Sequence, residues 1–135
     1  MTYEVEFPVR YYEADPMGVV HHSEYVRYFE CARNAWLHEI GYLHKDSLED
    51  GIVIPVVDLS IRYRHSARFG DVVKVTAEVR SFDRATLAMH QQVIDGEGVV
   101  CAEGDVTLAF LSTRLGRPVR CPERLTELIN NQLNQ

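Results

Sequence analysis

The stretch YYEADPMGVVHHSEY, residues 11–25, is the most informative part of this chain. Its Asp-Pro-Met-Gly segment at 15–18 has the composition of a tight turn, with Asp first, Pro second and Gly fourth. Ser23 and a run from Glu24 to Ile40 follow, and the apolar positions of that run recur at helical spacing. The pattern predicts that Asp15 lies in a turn a few residues before a long amphipathic helix.

The helix predicted over Glu24–Ile40 has one apolar and one polar face. Its apolar positions are Tyr25, Tyr28, Phe29, Ala32, Trp36 and Ile40, and its polar positions are Glu24, Arg27, Glu30, Asn34 and His38. Ser23 suits the N-cap and Gly41 suits the C-terminal cap. We therefore expect one side of this helix to pack on a hydrophobic surface.

The rest of the chain is dominated by a period of two, which is typical of strands. We predict strands over residues 3–12, 57–64, 73–80, 87–94 and 100–110. A polar loop should follow the long helix. A terminal helix is predicted over 122–133, with Pro122 at its first position. The connectors at 82–84 and 95–98 have hairpin composition.

This order of elements excludes a doubly wound parallel fold, because four consecutive strands have no helices between them. We expect an α+β fold in which an antiparallel sheet of about five strands wraps around one long central helix. Residues 1–135 should form a single domain. One sheet face and one helix make a thin core, which favours pairing of subunits.

Composition narrows the classes of partner. The 135 residues are 46% hydrophobic and carry a net charge of −6, which argues against nucleic acid as the main partner. No apolar run approaches the ~20 residues needed to span a membrane. The N-terminus lacks the features of a secretion signal. Cys31, Cys101 and Cys121 show no Cys-x-x-Cys spacing, so they predict reduced thiols in a cytoplasmic protein.

Asp15 before a helix start suggests chemistry at a carbonyl group. A helix start presents unpaired backbone N–H groups and a partial positive charge, which can polarise a carbonyl oxygen. The carboxylate can then attack the carbon or activate water. The turn by itself also explains an Asp and a Gly at this spacing. His21, His22 and Glu24 lack a metal-binding spacing, and no Gly-x-Ser-x-Gly segment is present.

The order of elements and two motifs resemble the hotdog-fold thioesterases, in particular the 4-hydroxybenzoyl-CoA thioesterase and YbgC-like acyl-CoA thioester hydrolases. The first motif is Asp15–Val20 followed by Tyr25, and the second is SARFGD at 66–71. The likeness extends over roughly residues 3–125. Glu24 stands where many YbgC-like members carry Asn. The resemblance implies hydrolysis of a CoA thioester at the interface of a homodimer whose sheets join, with homotetramers common.

The same resemblance implies roles for particular residues. Asp15 is the expected nucleophile or general base, and the backbone N–H of His22 is the expected oxyanion donor, while its ring can orient water or Asp15. Gly18 and Tyr25 are expected near the substrate, and Arg84 is expected to bind the nucleotide of CoA. Further candidates for the phosphates are Arg62, Arg64 and Arg68. No cofactor and no metal are implied.

Other functions stay open at this point. A thioesterase for acyl-carrier-protein substrates would need the carrier protein for binding. A non-catalytic acyl-CoA-binding module would bind its ligand without turnover, and a hotdog dehydratase would need an acid–base partner for Asp15. The sequence leaves open whether the acyl group is short, long or aromatic.

Overall fold

The computed structural model describes residues 2–134 and contains the expected five-stranded antiparallel sheet, with strand order β1-β4-β5-β6-β3. The strands and helices are β1 (Thr2–Pro8), α1 (Glu24–Glu39), α2 (His44–Asp50), β2 (Ile52–Val53), β3 (Val56–Tyr63), β4 (Val72–Phe82), β5 (Thr86–Ile94), β6 (Val100–Ala109), β7 (Leu111–Ser112) and α3 (Glu123–Leu133). The short strands β2 and β7 form a separate antiparallel pair.

The core lies between α1 and the sheet. Five of the predicted apolar positions of α1 are buried: Tyr25, Tyr28, Phe29, Ala32 and Trp36. They face buried side chains of the central strands, among them Val75 on β4 and Met89 on β5. Each large side chain buried in this way contributes about 1.5–3 kcal/mol through removal of apolar surface from water. Packing of α1 on the sheet therefore positions both ends of the helix.

The first strand is shorter than residues 3–12, which the alternating pattern predicted. β1 ends at Pro8, and a 3-10 helix over Tyr11–Glu13 follows it. The Glu13 carboxylate accepts a hydrogen bond from the backbone N–H of Arg10 at 2.8 Å. This contact closes the turn and directs Glu13 into the protein, so the strand cannot continue.

Three local predictions about helices are wrong in detail. The segment after α1 contains a helix, α2, because the Asp46 carboxylate accepts the Leu43 N–H at 2.8 Å. Ser23 precedes α1 but its hydroxyl makes no capping bond and lies 2.8 Å from His21 Nδ1. Pro122 stands at the N-cap of α3, one residue before the helix begins.

The two ends of the sheet carry different loops. The β3–β4 connection (residues 64–71) and the β5–β6 hairpin (residues 95–99) lie at one end, and the β4–β5 hairpin (residues 83–85) lies at the other. We call these the 64–71 end and the 83–85 end. At about 3.3 Å per residue, the length of β4 separates them by roughly 30 Å.

Within residues 2–134, no helix combines the length and apolar character needed to cross a membrane. The three cysteines are unpaired, and Cys101 and Cys121 are buried while Cys31 is exposed.

Candidate active site

Asp15 lies at the tip of a small hairpin formed by residues 13–21. Its backbone N–H donates to Val19 O at 2.8 Å, and the Gly18 N–H donates to Asp15 O at 2.9 Å. The carboxylate oxygen Oδ1 accepts from the backbone N–H groups of Met17 at 2.8 Å and Val19 at 3.3 Å. Oδ1 thus stabilises the turn, while Oδ2 accepts no hydrogen bond from the described part of the chain.

A nearly identical turn occurs at Asp95, between β5 and β6. The Asp95 N–H donates to Val99 O at 2.9 Å, and Oδ1 accepts from two backbone N–H groups at 2.9 and 3.0 Å. Gly98 has a φ of 83° where Gly18 has 81°. The geometry of the turn therefore does not distinguish Asp15, and any special role must come from its neighbours.

The two sequence motifs lie against each other. The N–H of Val20, which follows the Asp15 turn, donates to Ala67 O at 2.8 Å. The Ala67 N–H in turn donates to the hydroxyl of Tyr25 at 3.0 Å. Residues 66–71 are thus bound both to the turn and to the first turn of α1.

Glu13 anchors the other side of the hairpin. Its carboxylate is buried and accepts hydrogen bonds from the Tyr28 hydroxyl at 3.0 Å and from the Arg10 N–H at 2.8 Å. Its backbone oxygen accepts the His21 N–H at 3.0 Å. Burial, followed by the neighbouring carboxylate, raises the pKa of Tyr28, which stays a donor. Nothing in the local sequence marks Glu13 as a buried residue.

The start of α1 presents a free donor. The His21 N–H, the Ser23 N–H and the Glu24 N–H each have an acceptor, the last two on His21 itself. The backbone N–H of His22 has none among residues 2–134. A free N–H at a helix start adds to the partial positive charge there and can receive a developing oxyanion.

A cleft of about 270 Å³ adjoins this helix start. Its lining residues are Val20, His22, Tyr25, Tyr63, Arg64, His65 and Ser66. The Tyr63 hydroxyl donates to His22 O at 3.1 Å, and the rings of Tyr63 and His22 meet edge to face. The His22 ring makes no hydrogen bond to Asp15 within the described residues. The sequence does not distinguish Tyr63 as a site residue, because a tyrosine on an alternating strand has no distinctive signal.

Gly18 and Tyr25 lie where the sequence placed them, beside the Asp15 turn. A Cβ built on Gly18 would have no heavy atom within 4 Å, so its positive φ is the feature that favours glycine there. Tyr25 lines the cleft but is otherwise buried, and burial raises the pKa of its hydroxyl. Its hydroxyl therefore stays protonated while it accepts the Ala67 N–H.

Arg84 lies far from Asp15 within one chain. It occupies the β4–β5 hairpin at the 83–85 end, with a φ of 72°. Its Nη2 donates to Cys121 O at 3.2 Å and lies 3.5 Å from the Glu123 carboxylate, while Nε is buried without a partner among the described residues. The structure thus brings Asp15, Gly18, His22 and Tyr25 together, but it separates Arg84 from them.

The further arginine candidates surround the cleft end of the sheet. Arg64 lines the cleft and bonds to Glu103 on β6 through Nε at 2.8 Å. Arg62 and Arg68 are exposed. No group of three or more His, Cys, Asp or Glu residues within 2–134 is placed to hold a metal ion.

A five-stranded antiparallel sheet packed on one long helix is the hotdog fold. The comparison with protein families agrees, because residues 9–129 match the model of the thioesterase-like superfamily. The chain belongs to this superfamily.

Similar proteins carry names of the same kind. The chain is 30% identical over 122 residues to the acyl-CoA thioesterase YbgC of Haemophilus influenzae, covering 88% of this chain and 89% of that protein. It is 33% identical over 78 residues to the putative acyl-CoA thioesterase YneP of Bacillus subtilis, covering 58% and 56%. The structure of a DHNA-CoA thioesterase from Staphylococcus aureus superposes with a TM-score of 0.90 at 26% identity, covering 98% and 91%.

Proposed function

We propose that this protein hydrolyses acyl-CoA thioesters, with Asp15 as nucleophile or general base and the His22 backbone N–H as oxyanion donor. The observation that carries the proposal is the free His22 N–H just before α1, directly after the hairpin that carries the Asp15 carboxylate. The names of the similar proteins support the choice of CoA as the thiol.

Two reaction routes fit this arrangement. In the first, an Asp15 oxygen bonds to the thioester carbon, the C–S bond breaks, and CoA leaves as a thiolate that takes a proton from water. The hydroxide left from that water then attacks the acyl carbon of the resulting anhydride, which releases the acid and restores the Asp15 carboxylate. In the second, Asp15 takes a proton from water as the water oxygen attacks the carbonyl carbon. The C–S bond then breaks and the leaving CoA sulfur takes that proton from Asp15, which restores the carboxylate. In both routes the carbonyl oxygen becomes negatively charged in the transition state. One hydrogen-bond donor to that oxygen lowers the activation free energy by about 2.7–4 kcal/mol.

We further propose that the working site is built by two chains. β3 lies at an edge of the sheet and exposes apolar side chains, with Val57 58% and Leu59 36% exposed. An unpaired apolar edge favours pairing with another strand. Antiparallel pairing of two β3 strands about a two-fold axis reverses the second sheet, which places its 83–85 end beside the 64–71 end of the first.

In this dimer Arg84 of one chain approaches the Asp15 site of the other. The arginine that lies roughly 30 Å away within one chain then becomes available to the CoA phosphates. Its bonds to Cys121 and Glu123 leave part of the guanidinium open, since the side chain remains 34% exposed. Gly18 and Tyr25 complete the proposed substrate contacts at the helix start.

Free-thiol release from a panel of aliphatic and aromatic acyl-CoAs tests the proposal. One variant is Asp15→Asn. The matched control is Asp95→Asn, which removes a carboxylate charge from the second turn of the same geometry, between β5 and β6. We expect Asp15→Asn to lower kcat by at least about 10²-fold, in line with loss of a catalytic acid–base group, while Asp95→Asn retains activity.

Three outcomes would contradict parts of the proposal. Near wild-type turnover by Asp15→Asn would remove Asp15 from the chemistry. Turnover of carrier-protein thioesters alone would replace CoA as the substrate. Binding of acyl-CoA without any turnover would identify a non-catalytic binding module.

A further inference from the structure

A second, larger cavity lies at the opposite end of α1 from Asp15. It has a volume of about 460 Å³ and lies between the C-terminal half of α1, helix α2 and the sheet. Apolar side chains make most of its wall, including Trp36, Leu37, Met89 and Leu108. It shares no lining residue with the cleft at the helix start. Its volume lies within the range of ~300–1,000 Å³ usual for small-molecule sites.

One wall of this cavity carries a buried cation, Arg33, which is only 8% exposed. Nη1 donates to Gln91 Oε1 at 3.1 Å. The Gln91 amide nitrogen is itself held by Phe29 O at 2.9 Å and Thr76 O at 3.1 Å, so its oxygen is aimed at the arginine. A neutral amide oxygen satisfies one donor of the guanidinium and leaves its charge uncompensated.

Within residues 2–134 no carboxylate lies within 4.0 Å of the Arg33 guanidinium. The nearest acidic influence is Glu30, an exposed residue one turn earlier on α1 that also lines the cavity. Burial lowers the pKa of Arg33, and Glu30 opposes this shift. An unpaired buried charge is costly, and a bidentate carboxylate is the partner that best compensates a guanidinium.

The remaining guanidinium nitrogens are not fully enclosed by the protein. The one buried side-chain nitrogen or oxygen atom without a partner in the described residues is Nε of Arg84, not an atom of Arg33. The Arg33 nitrogens that make no hydrogen bond therefore keep some accessible surface, and Arg33 is a lining residue of the cavity.

We propose that this cavity binds an organic carboxylate, whose apolar part fills the space beside Trp36 and Met89 and whose carboxylate pairs with Arg33. The site is separate from the thioester chemistry within one chain. It requires a ligand that combines an apolar body with one anionic oxygen pair, because Arg33 is the one Lys or Arg side chain among the lining residues and most of the wall is apolar.

Two sources supply this chemistry. The ligand is either a free acid of the kind that thioester hydrolysis releases, or the distal carboxylate of an acyl group still joined to CoA. The second source rests on the proposed dimer, in which this cavity, at the 83–85 end, lies at the same end as the partner's Asp15. The recognition by Arg33 is the same in both cases.

Calorimetric titration of the 135-residue chain with octanoate, with octanamide as its neutral analogue, tests the proposal without any turnover. The variants are Arg33→Met and the matched control Arg27→Met, which removes an exposed arginine from the same helix. We expect octanoate to bind the wild type and Arg27→Met equally and Arg33→Met at least tenfold more weakly. Octanamide should bind weakly to all three.

Equal octanoate affinity for wild type and Arg33→Met would overturn the proposal, as would an absence of octanoate binding to the wild type. A thermal melt of each variant shows whether Arg33→Met is folded. If it is not, Arg33→Lys serves in its place, because it keeps the charge but loses the planar pair of donors and should bind octanoate more weakly than wild type. Equal binding by that variant contradicts the proposal.

Kinetics then separate the two sources. If the distal carboxylate is the ligand, CoA thioesters of an ω-carboxylated chain have a higher kcat/KM than those of the plain chain of equal length, and Arg33→Met removes the preference. If the free acid is the ligand, the two esters react alike and octanoate binding still depends on Arg33. Because binding is measured first, failure of the hydrolase proposal leaves this test intact.

Discussion

At the scale of single residues, the chain contains the same turn twice and gives it different surroundings. Asp15 and Asp95 hold their turns through the same pair of Oδ1 contacts. Only the Asp15 turn leads directly into the start of α1 and its free His22 N–H. The same turn can therefore hold a carboxylate with a structural role at Asp95 and one with a catalytic role at Asp15. The paired variants Asp15→Asn and Asp95→Asn separate the two roles.

The paired glycines give a residue-scale prediction. Gly18→Ala and Gly98→Ala each place a Cβ at a positive φ, and in neither case does a neighbour lie within 4 Å of it. Both should therefore lose a similar free energy of unfolding, about 1 kcal/mol, measured by urea denaturation. We expect Gly18→Ala also to lower kcat/KM, because it moves the Asp15 turn. Equal activity of the two variants would show that the turn tolerates the shift.

At the scale of elements, Gly104 on β6 has the least room for a side chain among the glycines of the protein. A Cβ there would collide with the carbonyl oxygen of Ser60 on β3 and lie 3.0 Å from the Phe29 ring on α1. The glycine allows the edge strand and the central helix to approach β6 together. Its role is thus in packing and not in conformational freedom.

Gly104→Ala should therefore destabilise the protein strongly. We expect a loss of about 3 kcal/mol in the free energy of unfolding, the upper end of the usual range for overpacking. Gly96→Ala is the control, since its nearest neighbour would be 3.8 Å away and its φ is not positive. Urea denaturation of both variants measures the difference, and equal stabilities would mean that β3 shifts without cost.

Helix α2 depends on contacts distant in sequence. The Asp46 carboxylate accepts the Leu43 N–H at 2.8 Å and the Arg124 Nη1 from α3 at 2.6 Å. These contacts, the backbone bond first, hold the pKa of Asp46 below its usual value. A carboxylate with a lowered pKa in the folded state adds stability above its unfolded pKa of about 3.9, and this contribution disappears as the pH falls.

The pH dependence of Asp46→Asn should follow that sign. At about pH 7 the variant should be less stable than wild type, and the difference should shrink at about pH 3, where the wild-type carboxyl is becoming protonated. Urea unfolding at both pH values measures it. Glu127→Gln, which removes an exposed carboxylate from α3, is the control. A stability difference between Asp46→Asn and wild type that is the same at both pH values would contradict the assignment.

At the scale of the whole molecule, the position of Arg84 is the main argument for a shared site. It belongs to the 83–85 end of the sheet, while Asp15 belongs to the 64–71 end. A two-fold axis at β3 brings opposite ends of two chains together. If both residues serve one substrate, they must come from different chains.

Subunit complementation tests this prediction. Mixed dimers of Asp15→Asn and Arg84→Glu chains contain one intact site, so random pairing should restore roughly a quarter of wild-type activity to two nearly inactive proteins. Thiol release at low acyl-CoA concentration, with sedimentation to confirm dimers, measures the recovery. A mixture of wild type with the double variant provides the control, because its mixed dimers should contain no intact site. Activity in those mixed dimers, with none restored in the first mixture, would place Arg84 and Asp15 in the same chain.

Several features of this protein followed from local sequence because they depend on nearby residues. The apolar face of α1, the period of two in the long strands and the turn at Asp15 arise from contacts within a few positions along the chain. Consecutive hairpins join β4, β5 and β6, so this part of the antiparallel sheet also follows from local sequence, whereas the places of β1 and β3 at its edges do not. The sequence therefore determined the class of fold and the most prominent carboxylate.

The tertiary structure alone decided which polar groups became buried and where the distant loops lie. Arg33 shares the face of α1 that carries Phe29 and Trp36, a helical spacing that could have marked it as buried, but its partner Gln91 is distant along the chain and on β5. In the sequence, Arg84 cannot be distinguished from any other arginine of a hairpin. The length of β4 places it at the opposite end of the sheet from Asp15. Such positions depend on contacts between residues far apart in sequence, and local patterns do not encode them.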